Sequence, residues 1–277
     1  HYPRTAHRCA SQSHEEPPDP GACVMRASLS TQGREWRIDL DRPIDLSVPI
    51  GFDGPALRHF GAPAPRSMPF ETGGFSGSVA TGAGCNCRTI MLTPHCNGTH
   101  TECVAHLTLE PLDVWRIVPA APVPALAMSV APVPVGEDLV VTRAALASAW
   151  LAGAVALPPI ALILRTAPRT PPAGTPVQRT ASRDGRGAHA LPPWMAADAI
   201  AYIVEQGITH LVIDQPSLDR THDAGRPAAH RVFFGLPPGS RRLADAARPR
   251  ATVTEYASVP DALPDGPCAL AWQVPAI

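Results

Sequence analysis

Lysine is absent from this 277-residue sequence, and all 23 basic residues are arginine. The absence excludes the Walker A phosphate site, the pyridoxal phosphate Schiff base and the Ser-x-x-Lys acylation site, because each needs a lysine amine. The 23 arginines nearly balance 24 acidic residues, leaving a formal charge of -1. Neither a nucleic acid nor a membrane surface is therefore an expected partner.

Cysteine is scarce, and its seven residues form no Cys-x-x-Cys pair. A zinc ribbon and a thioredoxin-type centre are therefore not expected, and the odd, low count argues against a disulfide scaffold. No Gly-x-Ser-x-Gly sequence occurs, which disfavours a serine hydrolase. The low cysteine count and the lack of a recognisable signal peptide in the polar first 34 residues together predict a cytoplasmic location.

A long apolar stretch at 144–164 could be mistaken for a membrane span. Pro158 and Pro159 interrupt it, and Thr142 is well placed to cap a short helix running to residue 152. The stretch therefore predicts a helix and then a strand at 160–164, within a soluble domain.

Residues 1–34 are charged and rich in proline, and we expect a disordered extension followed by one domain over 35–277. The clearest helix is predicted from Pro193 to Gly207, because apolar residues recur every three or four positions. Long loops are expected at 51–84, 168–190 and 235–250. Alternating or apolar runs predict strands at 36–40, 44–50, 89–93, 114–118, 126–130, 139–141, 210–214, 253–256 and 268–274. The outline is α/β or α+β, with more strand than helix.

The most informative segment is 94–106, which holds His95 or Cys96, His100, Glu102 and His106 as candidate metal ligands. In an extended chain, residues 96, 98, 100 and 102 point to one side, and Gly98 would leave open space there. A helix starting near Glu102 would add His106 to the same face. Imidazole, carboxylate and thiolate together suit zinc, whereas imidazole and carboxylate alone could also hold manganese or iron. A polar loop with incidental histidines is the alternative.

This segment resembles a known signature. Residues 96–106, Cys-Asn-Gly-Thr-His-Thr-Glu-Cys-Val-Ala-His, are similar to the His-x-Gly-Thr-His-x-Asp-x-x-x-His motif of the putative cyclase family, which includes bacterial kynurenine formamidases and isatin hydrolases. Cysteine replaces the first histidine, and glutamate replaces the aspartate. Further similar elements follow in the family's order at 44–50, 210–219, 229–230, 252–255 and 265–274.

The resemblance implies a three-layer β/β/α fold of the swivelling type and a metal-dependent amidohydrolase. It implies one or two metal ions and a homodimer or higher homo-oligomer. The thiolate of Cys96 would shift the preference from Mn²⁺ towards Zn²⁺, so Zn²⁺ is the expected cofactor and Mn²⁺ the alternative. His106 would carry protons, Glu102 would bridge two ions, and His95 could replace Cys96. The implied metal ligands are Cys96, His100, Glu102, His230 and Glu255.

Four further residues are candidates for supporting roles. Asp214, Ser217 and Asp219 could hold His230 in place, although an ordinary turn explains Ser217 and Asp219 equally well. His59 could line a substrate pocket, although it could also be one of several solvated loop histidines, with residues 189 and 222.

The expected reaction is hydrolysis of a small-molecule amide, with N-formylkynurenine as the reference substrate. One alternative is a cyclic amide or lactone hydrolase of the isatin type, or a cyclase of secondary metabolism. A second alternative is a non-catalytic member of the family that binds metal.

Overall fold

The computed structural model describes residues 25–31, 34–54, 56–150, 158–166 and 191–276. The helices are α1 (Pro94–Asn97), α2 (Arg143–Ala149), α3 (Ala197–Glu205) and α4 (Ala228–Phe234). The strands are β1 (Arg26–Thr31), β2 (Arg34–Asp39), β3 (Arg66–Pro69), β4 (Glu71–Thr72), β5 (Phe75–Ser76), β6 (Arg88–Met91), β7 (His100–Cys103), β8 (Val123–Ser129), β9 (Val133–Val135), β10 (Asp138–Val141), β11 (Ala161–Arg165), β12 (Trp194–Met195), β13 (His210–Ile213), β14 (Thr252–Glu255) and β15 (Gly266–Leu270).

A six-stranded sheet forms the centre, in the order β15-β8-β11-β13-β14-β7. Its four inner strands are parallel, and the two edge strands, β15 and β7, run antiparallel to their neighbours. A three-stranded sheet, β12-β10-β9, and three two-stranded ribbons, β1-β2, β3-β6 and β4-β5, complete the strands. The architecture is the strand-rich α/β class that the sequence predicts.

Alternation along the inner strands separates two apolar layers. On one face, Leu162, Leu164 and Val253 pack in the cluster that also contains helix residues such as Ile200 and Phe233. The opposite face packs beneath the chain that follows β14 and carries Ala161, Ile163, Val212, Ala257, Leu263 and Leu270. Within the described residues, α2, α3 and α4 pack on one side of the sheet, and α4 lies close to its β7 edge.

Most predicted strands and both predicted helices are present, with shifted ends. Thr142 caps α2, its side chain accepting the Ala145 N–H at 3.3 Å. The helix predicted from Pro193 starts only at Ala197, because Trp194–Met195 instead pairs in parallel with Val140–Val141. The end of the first helix, beyond residue 150, and the predicted loop 168–190 lie outside the described residues.

Several predictions of local structure differ from what is observed. The loop expected at 51–84 contains the short strands β3, β4 and β5. Strand β1 lies within the segment 1–34 and pairs with β2 across its full length, so this part of the extension is regular. Residues 44–50 form no strand. Val114–Arg116 is a 3-10 turn, stabilised by an ion pair between Arg116 and Asp113 at 2.9 Å, where a strand was expected.

The apolar stretch at 144–164 does not form one helix, since α2 ends at Ala149 and β11 begins at Ala161. Within the described residues, no helix has the length and apolarity that a membrane crossing needs.

Candidate metal centre

Strands β7 and β14 place three candidate ligands on one face. Their antiparallel register puts His100 opposite Glu255 and Glu102 opposite Val253. Val253 packs in the helix-side core, so Glu255, two residues further on, points to the same side. The predicted alternation of His100 and Glu102 is thereby confirmed, and both side chains are buried together with Glu255.

Helix α4 adds the fourth candidate, His230, from a region whose helical structure the sequence analysis missed. Its Nε2 lies 2.7 Å from Oε1 of Glu102 and 3.3 Å from Oε1 of Glu255. The helix ends at Gly235, whose φ of 62° is left-handed and where a Cβ would lie 2.9 Å from the Cβ of Ala247. Glycine is thus required for the turn that ends α4.

Asp219 fixes the orientation of His230. Its Oδ2 lies 2.6 Å from Nδ1 of His230, and the same carboxylate accepts the backbone N–H groups of Ala229 and His230 at 2.7 and 3.2 Å. The carboxylate therefore caps the first turn of α4 and favours the tautomer with Nδ1 protonated. That tautomer leaves Nε2 free to bind a cation.

Hydrogen bonds with the backbone also orient His100 and Glu255, which face each other on β7 and β14. The Nδ1 of His100 lies 3.1 Å from the carbonyl oxygen of Gly98, and its Nε2 faces Oε2 of Glu255 at 3.4 Å. The Oε1 of Glu255 accepts the backbone N–H of Leu218 at 2.7 Å. Both imidazoles thus turn Nε2 towards the carboxylates.

His95, rather than Cys96, approaches the carboxylates. Pro94 begins the helical turn α1, which breaks the strand alternation on which the Cys96 prediction depended. The Nε2 of His95 lies 3.2 Å from Oε2 of Glu102. Among the described residues, two groups have ligand atoms within 4.8 Å of one another, and Cys96 belongs to neither: His95, Glu102 and His106, and His100, Glu102 and Glu255. Because Glu102 is common to both groups, it is the carboxylate that could bridge two ions.

His106 stands on the outer side of the cluster. It ends a 3-10 turn that follows β7, where a regular helix was expected, and its Nδ1 is 3.4 Å from Oε2 of Glu102. Its ring stacks on that of His95 with centroids 4.7 Å apart. The His106 side chain is 36% exposed, compared with 4% for Glu102, so it can exchange protons with solvent or with a bound molecule.

The close approach of opposite charges governs the protonation of the cluster. Burial acts to raise the pKa of Glu102, but the facing His230 outweighs it and holds that pKa below its ordinary value. Burial acts to lower the pKa of His230, yet the charge of Glu102 and the hydrogen bond to Asp219 raise it well above the ordinary value. For His106, burial is the largest influence, and it lowers the pKa.

The cluster also contains buried polar atoms that lack hydrogen-bond partners. Within the described chain these are both Oε atoms of Glu102 and the Nε2 atoms of His95, His100 and His230. The histidine nitrogens face carboxylate oxygens of Glu102 or Glu255 at 2.7–3.4 Å. Such buried atoms are rare in folded proteins and require an explanation. A divalent cation would satisfy all of them, and imidazole with carboxylate is a donor set that zinc, manganese and iron accept.

The segment 44–50, although not a strand, packs against residues 98 and 99, next to the candidate ligand His100. The side chain of Ile50 would lie 3.0 Å from a Cβ at residue 98, so the glycine there allows close packing and does not leave the open space that we expected. The hydroxyl of Thr99 accepts the Val48 N–H at 2.8 Å and donates to the carbonyl of Tyr256 at 2.5 Å.

The four residues predicted to have supporting roles make different contacts in the structure. The carboxylate of Asp214 accepts the backbone N–H and hydroxyl of Thr166 at 2.8 and 2.6 Å, at the end of β11. The Oγ of Ser217 accepts the Asp219 N–H at 3.2 Å, which is the turn that we considered as the alternative. Asp219 is therefore the residue that contacts His230. His59 is only 3% exposed and lies beside Tyr256, so it is not a solvated loop residue.

Comparison with known proteins agrees with this geometry. The sequence profile described as putative cyclase matches residues 44–220, which is more than half of the chain. The chain belongs to the putative cyclase family. No curated protein matches this member of the family.

Solved structures show the same fold. Isatin hydrolase A from Labrenzia aggregata, bound to benzyl benzoate, is 17% identical, with a TM-score of 0.53 over 80% of this chain and 83% of that one. Isatin hydrolase A from Ralstonia solanacearum is 16% identical, with a TM-score of 0.50 over 80% of this chain and 81% of the other. The likeness confirms the cyclase-type α/β fold that the sequence resemblance implies.

Proposed function

We propose that this chain is a metal-dependent hydrolase that cleaves an amide bond with activated water. The observation that carries the proposal is the set of buried imidazole nitrogens and carboxylate oxygens that converge without hydrogen-bond partners. A divalent cation bound there would lower the pKa of its bound water to about 7 and would polarise a carbonyl oxygen. Glu102, Glu255, His100 and His230 would hold it, with His95 on the outer side of Glu102.

The chain's own residues supply the remaining functions. Asp219 accepts the Nδ1 proton of His230, so Nε2 is the nitrogen that is directed at the carboxylates and would bind a cation. His106 lies 3.4 Å from Glu102, and its side chain is partly exposed. It can therefore take a proton from the attacking water and return it to the leaving nitrogen. Amide cleavage needs that second transfer, because an unprotonated nitrogen is a poor leaving group.

Zinc is the proposed ion, and manganese is the alternative. The thiolate of Cys96 would have favoured zinc, but Cys96 lies outside both ligand groups of the described residues. Burial also raises the pKa of the Cys96 thiol, which disfavours the thiolate that metal binding needs. The remaining nitrogen and oxygen donors accept zinc and manganese alike, so zinc is proposed as the first ion to be tested.

The proposed substrate is an aryl formamide such as N-formylkynurenine, which would yield kynurenine and formate. The fold shared with two isatin hydrolases supports a cyclic aryl amide as the second candidate. In both substrates a hydroxide attacks an amide carbonyl whose nitrogen is attached to an aromatic ring. A cytoplasmic location, a homo-oligomer and a role in tryptophan catabolism belong to the same proposal.

Elemental analysis combined with a substrate panel tests this function. Protein loaded with Zn²⁺ or Mn²⁺ should release formate from N-formylkynurenine or open isatin, and His100→Ala should lose both metal and turnover. His106→Ala should keep its metal and lose turnover by on the order of 10²–10⁴-fold. A metal-loaded wild-type protein that is inert to both compounds would refute the amide hydrolase, and stoichiometric metal in His100→Ala would refute the ligand assignment.

The roles of His95 and Cys96 are separated by a matched pair of neighbouring variants. His95→Ala should weaken metal binding, whereas Cys96→Ala should leave metal content unchanged, since only His95 reaches Glu102. Alkylation of Cys96 at equal rates with and without metal would support the same conclusion. If Cys96→Ala loses metal and His95→Ala does not, the thiolate of Cys96 is the ligand and the assignment of His95 is wrong.

A further inference from the structure

A buried amide lies in the short turn that carries His95. Asn97 is 1% exposed, and its side chain makes three hydrogen bonds, all with backbone groups. Its Oδ1 accepts the N–H of Thr93 at 2.7 Å. Its Nδ2 donates to the carbonyls of Leu57 and Pro63 at 2.9 and 3.2 Å. The amide oxygen thus faces a donor and the amide nitrogen faces two acceptors, so the side chain is fully paired in one orientation only.

The hydrogen bond to Thr93 closes the helical turn α1. This turn has only four residues, Pro94–Asn97, and the side chain of its N-cap, Thr93, makes no capping hydrogen bond. The Thr93 carbonyl accepts the N–H groups of Cys96 and Asn97 at 2.9 and 3.0 Å, and the Asn97 side chain accepts the Thr93 N–H in return. A turn this short is not stable by helix propensity alone, so it depends on these bonds in both directions.

The same bonds exclude the extended conformation. Four residues of strand span about 13 Å, so an extended chain would hold Thr93 and Asn97 far beyond hydrogen-bond reach. In that conformation the thiol of Cys96 would point to the side of the candidate ligands, where the family motif has its first histidine. With the turn closed, Nε2 of His95 instead lies 3.2 Å from Oε2 of Glu102.

The loop at 57–63 holds the closed turn in place. Two of its carbonyls accept from Asn97, and the N–H of His59 donates to the carbonyl of Cys96 at 3.1 Å. Leu57, His59, Cys96 and Asn97 are all buried, so water does not compete for these bonds. The turn therefore cannot adopt the strand phase unless buried hydrogen bonds on both sides of Asn97 are broken.

We propose that Asn97 is a positioning residue that selects His95, and not Cys96, to face the metal centre. The inference rests on the metal centre of the proposed function and concerns the ligand that completes it. Two adjacent side chains, an imidazole and a thiol, compete for one place, and the Asn97 amide decides between them. The choice affects the metal, because imidazole accepts manganese as well as zinc, whereas a thiolate favours softer ions.

Cobalt spectroscopy tests this selection without depending on turnover. A thiolate bound to Co²⁺ gives an intense charge-transfer band in the near ultraviolet, and imidazole and carboxylate ligands do not. Cobalt-loaded wild type should lack this band, and Asn97→Ala should show it. Asn97→Ala combined with Cys96→Ser should lose the band again. The affinity of Asn97→Ala for Mn²⁺ should fall by about 10–100-fold, as is typical when a residue that orients a ligand is removed.

Three further variants separate selection from stability. Asn97→Asp can still accept the Thr93 N–H but loses both donated bonds, so the protein should be less stable and should still lack the band. Asn97→Leu has a similar volume and none of the hydrogen bonds, and it takes the place of Asn97→Ala if that variant does not fold. Asn86→Ala removes the other asparagine of the sequence, whose Oδ1 accepts the Val79 N–H at 3.0 Å in an exposed loop. This matched control should change neither the spectrum nor the Mn²⁺ affinity.

Several outcomes would overturn the inference. A thiolate band in cobalt-loaded wild type would show that Cys96 is already a ligand. A folded Asn97→Ala or Asn97→Leu without the band, or a band that persists after Cys96→Ser, would show that the amide does not select the ligand. A band in Asn97→Asp would show that the Thr93 bond does not hold the turn. Wild type that binds no cobalt would refute the metal centre itself, whereas wild type that binds cobalt but cleaves no amide would refute only the proposed reaction.

Discussion

Two buried charged clusters in this molecule differ in whether their polar atoms are satisfied. Arg165, at the end of β11, is 3% exposed, as deeply buried as His230. Its guanidinium donates at 2.5–3.2 Å to oxygens of Ser129, Asp265, Val259, Pro260 and Leu263. The Arg165 cluster is therefore closed by the protein itself.

Glu102, at the centre of the candidate metal site, is buried to a similar degree, but its carboxylate oxygens lack hydrogen-bond partners. Glu102 and three imidazoles around it retain atoms without hydrogen bonds, although each histidine lies within 3.4 Å of a carboxylate oxygen. Each cluster has a deeply buried charged side chain, Arg165 in one and Glu102 in the other, and the two differ in the satisfaction of their polar atoms. A satisfied cluster is a structural element, whereas an unsatisfied one predicts a ligand.

The largest effect is expected from Glu102→Gln. The amide keeps the shape of the carboxylate but loses the charge that both ligand groups share, so metal binding and turnover should fall together, turnover by on the order of 10⁴-fold. Metal content and formate release measure the two losses. Glu205→Gln, which removes a carboxylate paired with Arg143 on the surface, is the control and should change neither.

Arg165→Met should lower the stability of the fold and leave metal binding unchanged. Removing one partner of a buried ion pair leaves the rest unpaired, and unfolding free energy should fall by about 3–5 kcal/mol. Metal stoichiometry of the folded protein should not change. Urea unfolding measures the loss, and Arg116→Met at an exposed ion pair should cost less than about 1 kcal/mol. A loss of metal in Arg165→Met would break the distinction between the clusters.

Asp219→Asn should produce an intermediate effect. The amide can no longer hold the Nδ1 proton of His230 with a charged oxygen, and metal affinity should fall by about 10–100-fold. Asp214→Asn is the matched control, because its carboxylate accepts from Thr166 at the end of β11. Metal titrations of both variants measure the difference. An equal loss of metal affinity in Asp214→Asn would show that Asp219 has no special part in orienting His230.

The sequence predicts the part of the site that depends on strand periodicity. His100 and Glu102 lie in a short strand, where alternate residues share a face, and the structure confirms this relation. Cys96 was assigned by extending the same period and by its position in the family motif. Pro94 starts a helical turn that changes the phase, so His95 approaches Glu102 instead. A one-residue change of phase turns a side chain away from the ligands, and the sequence does not show where this happens.

Elements that depend on tertiary contacts were harder to predict. Helix α4 has seven residues, too few for a clear helical period, and it is fixed by Asp219 and Gly235 at its ends. His230 and Glu255 were found by resemblance to the cyclase family and not by a local pattern. The choice of Asp219 over Asp214 depends on the end of β11, which is distant in sequence from both.

The smallest effect concerns His210, a buried histidine of the satisfied kind. Its Nδ1 lies 2.8 Å from the hydroxyl of Thr252, and its ring packs 5.0 Å from that of Trp272. Burial, together with the charges of Arg250 and Arg248, lowers its pKa to about 4. The folded protein therefore keeps this ring neutral at pH values where the unfolded chain, with a pKa near 6.5, already binds a proton.

The sign of the pH dependence follows from that difference. The contribution of His210 to stability is complete above pH 6.5, decreases as the pH falls towards about 4, and is constant below that value. Between pH 7 and pH 4, the metal-free wild type should lose about 1–2 kcal/mol more unfolding free energy than His210→Gln, since solvent screening reduces the full effect of the shift. Urea unfolding of both proteins across this range, with chelator present throughout, isolates the His210 contribution because every other titrating group is common to both. Parallel curves would show that His210 titrates alike in the folded and unfolded chains.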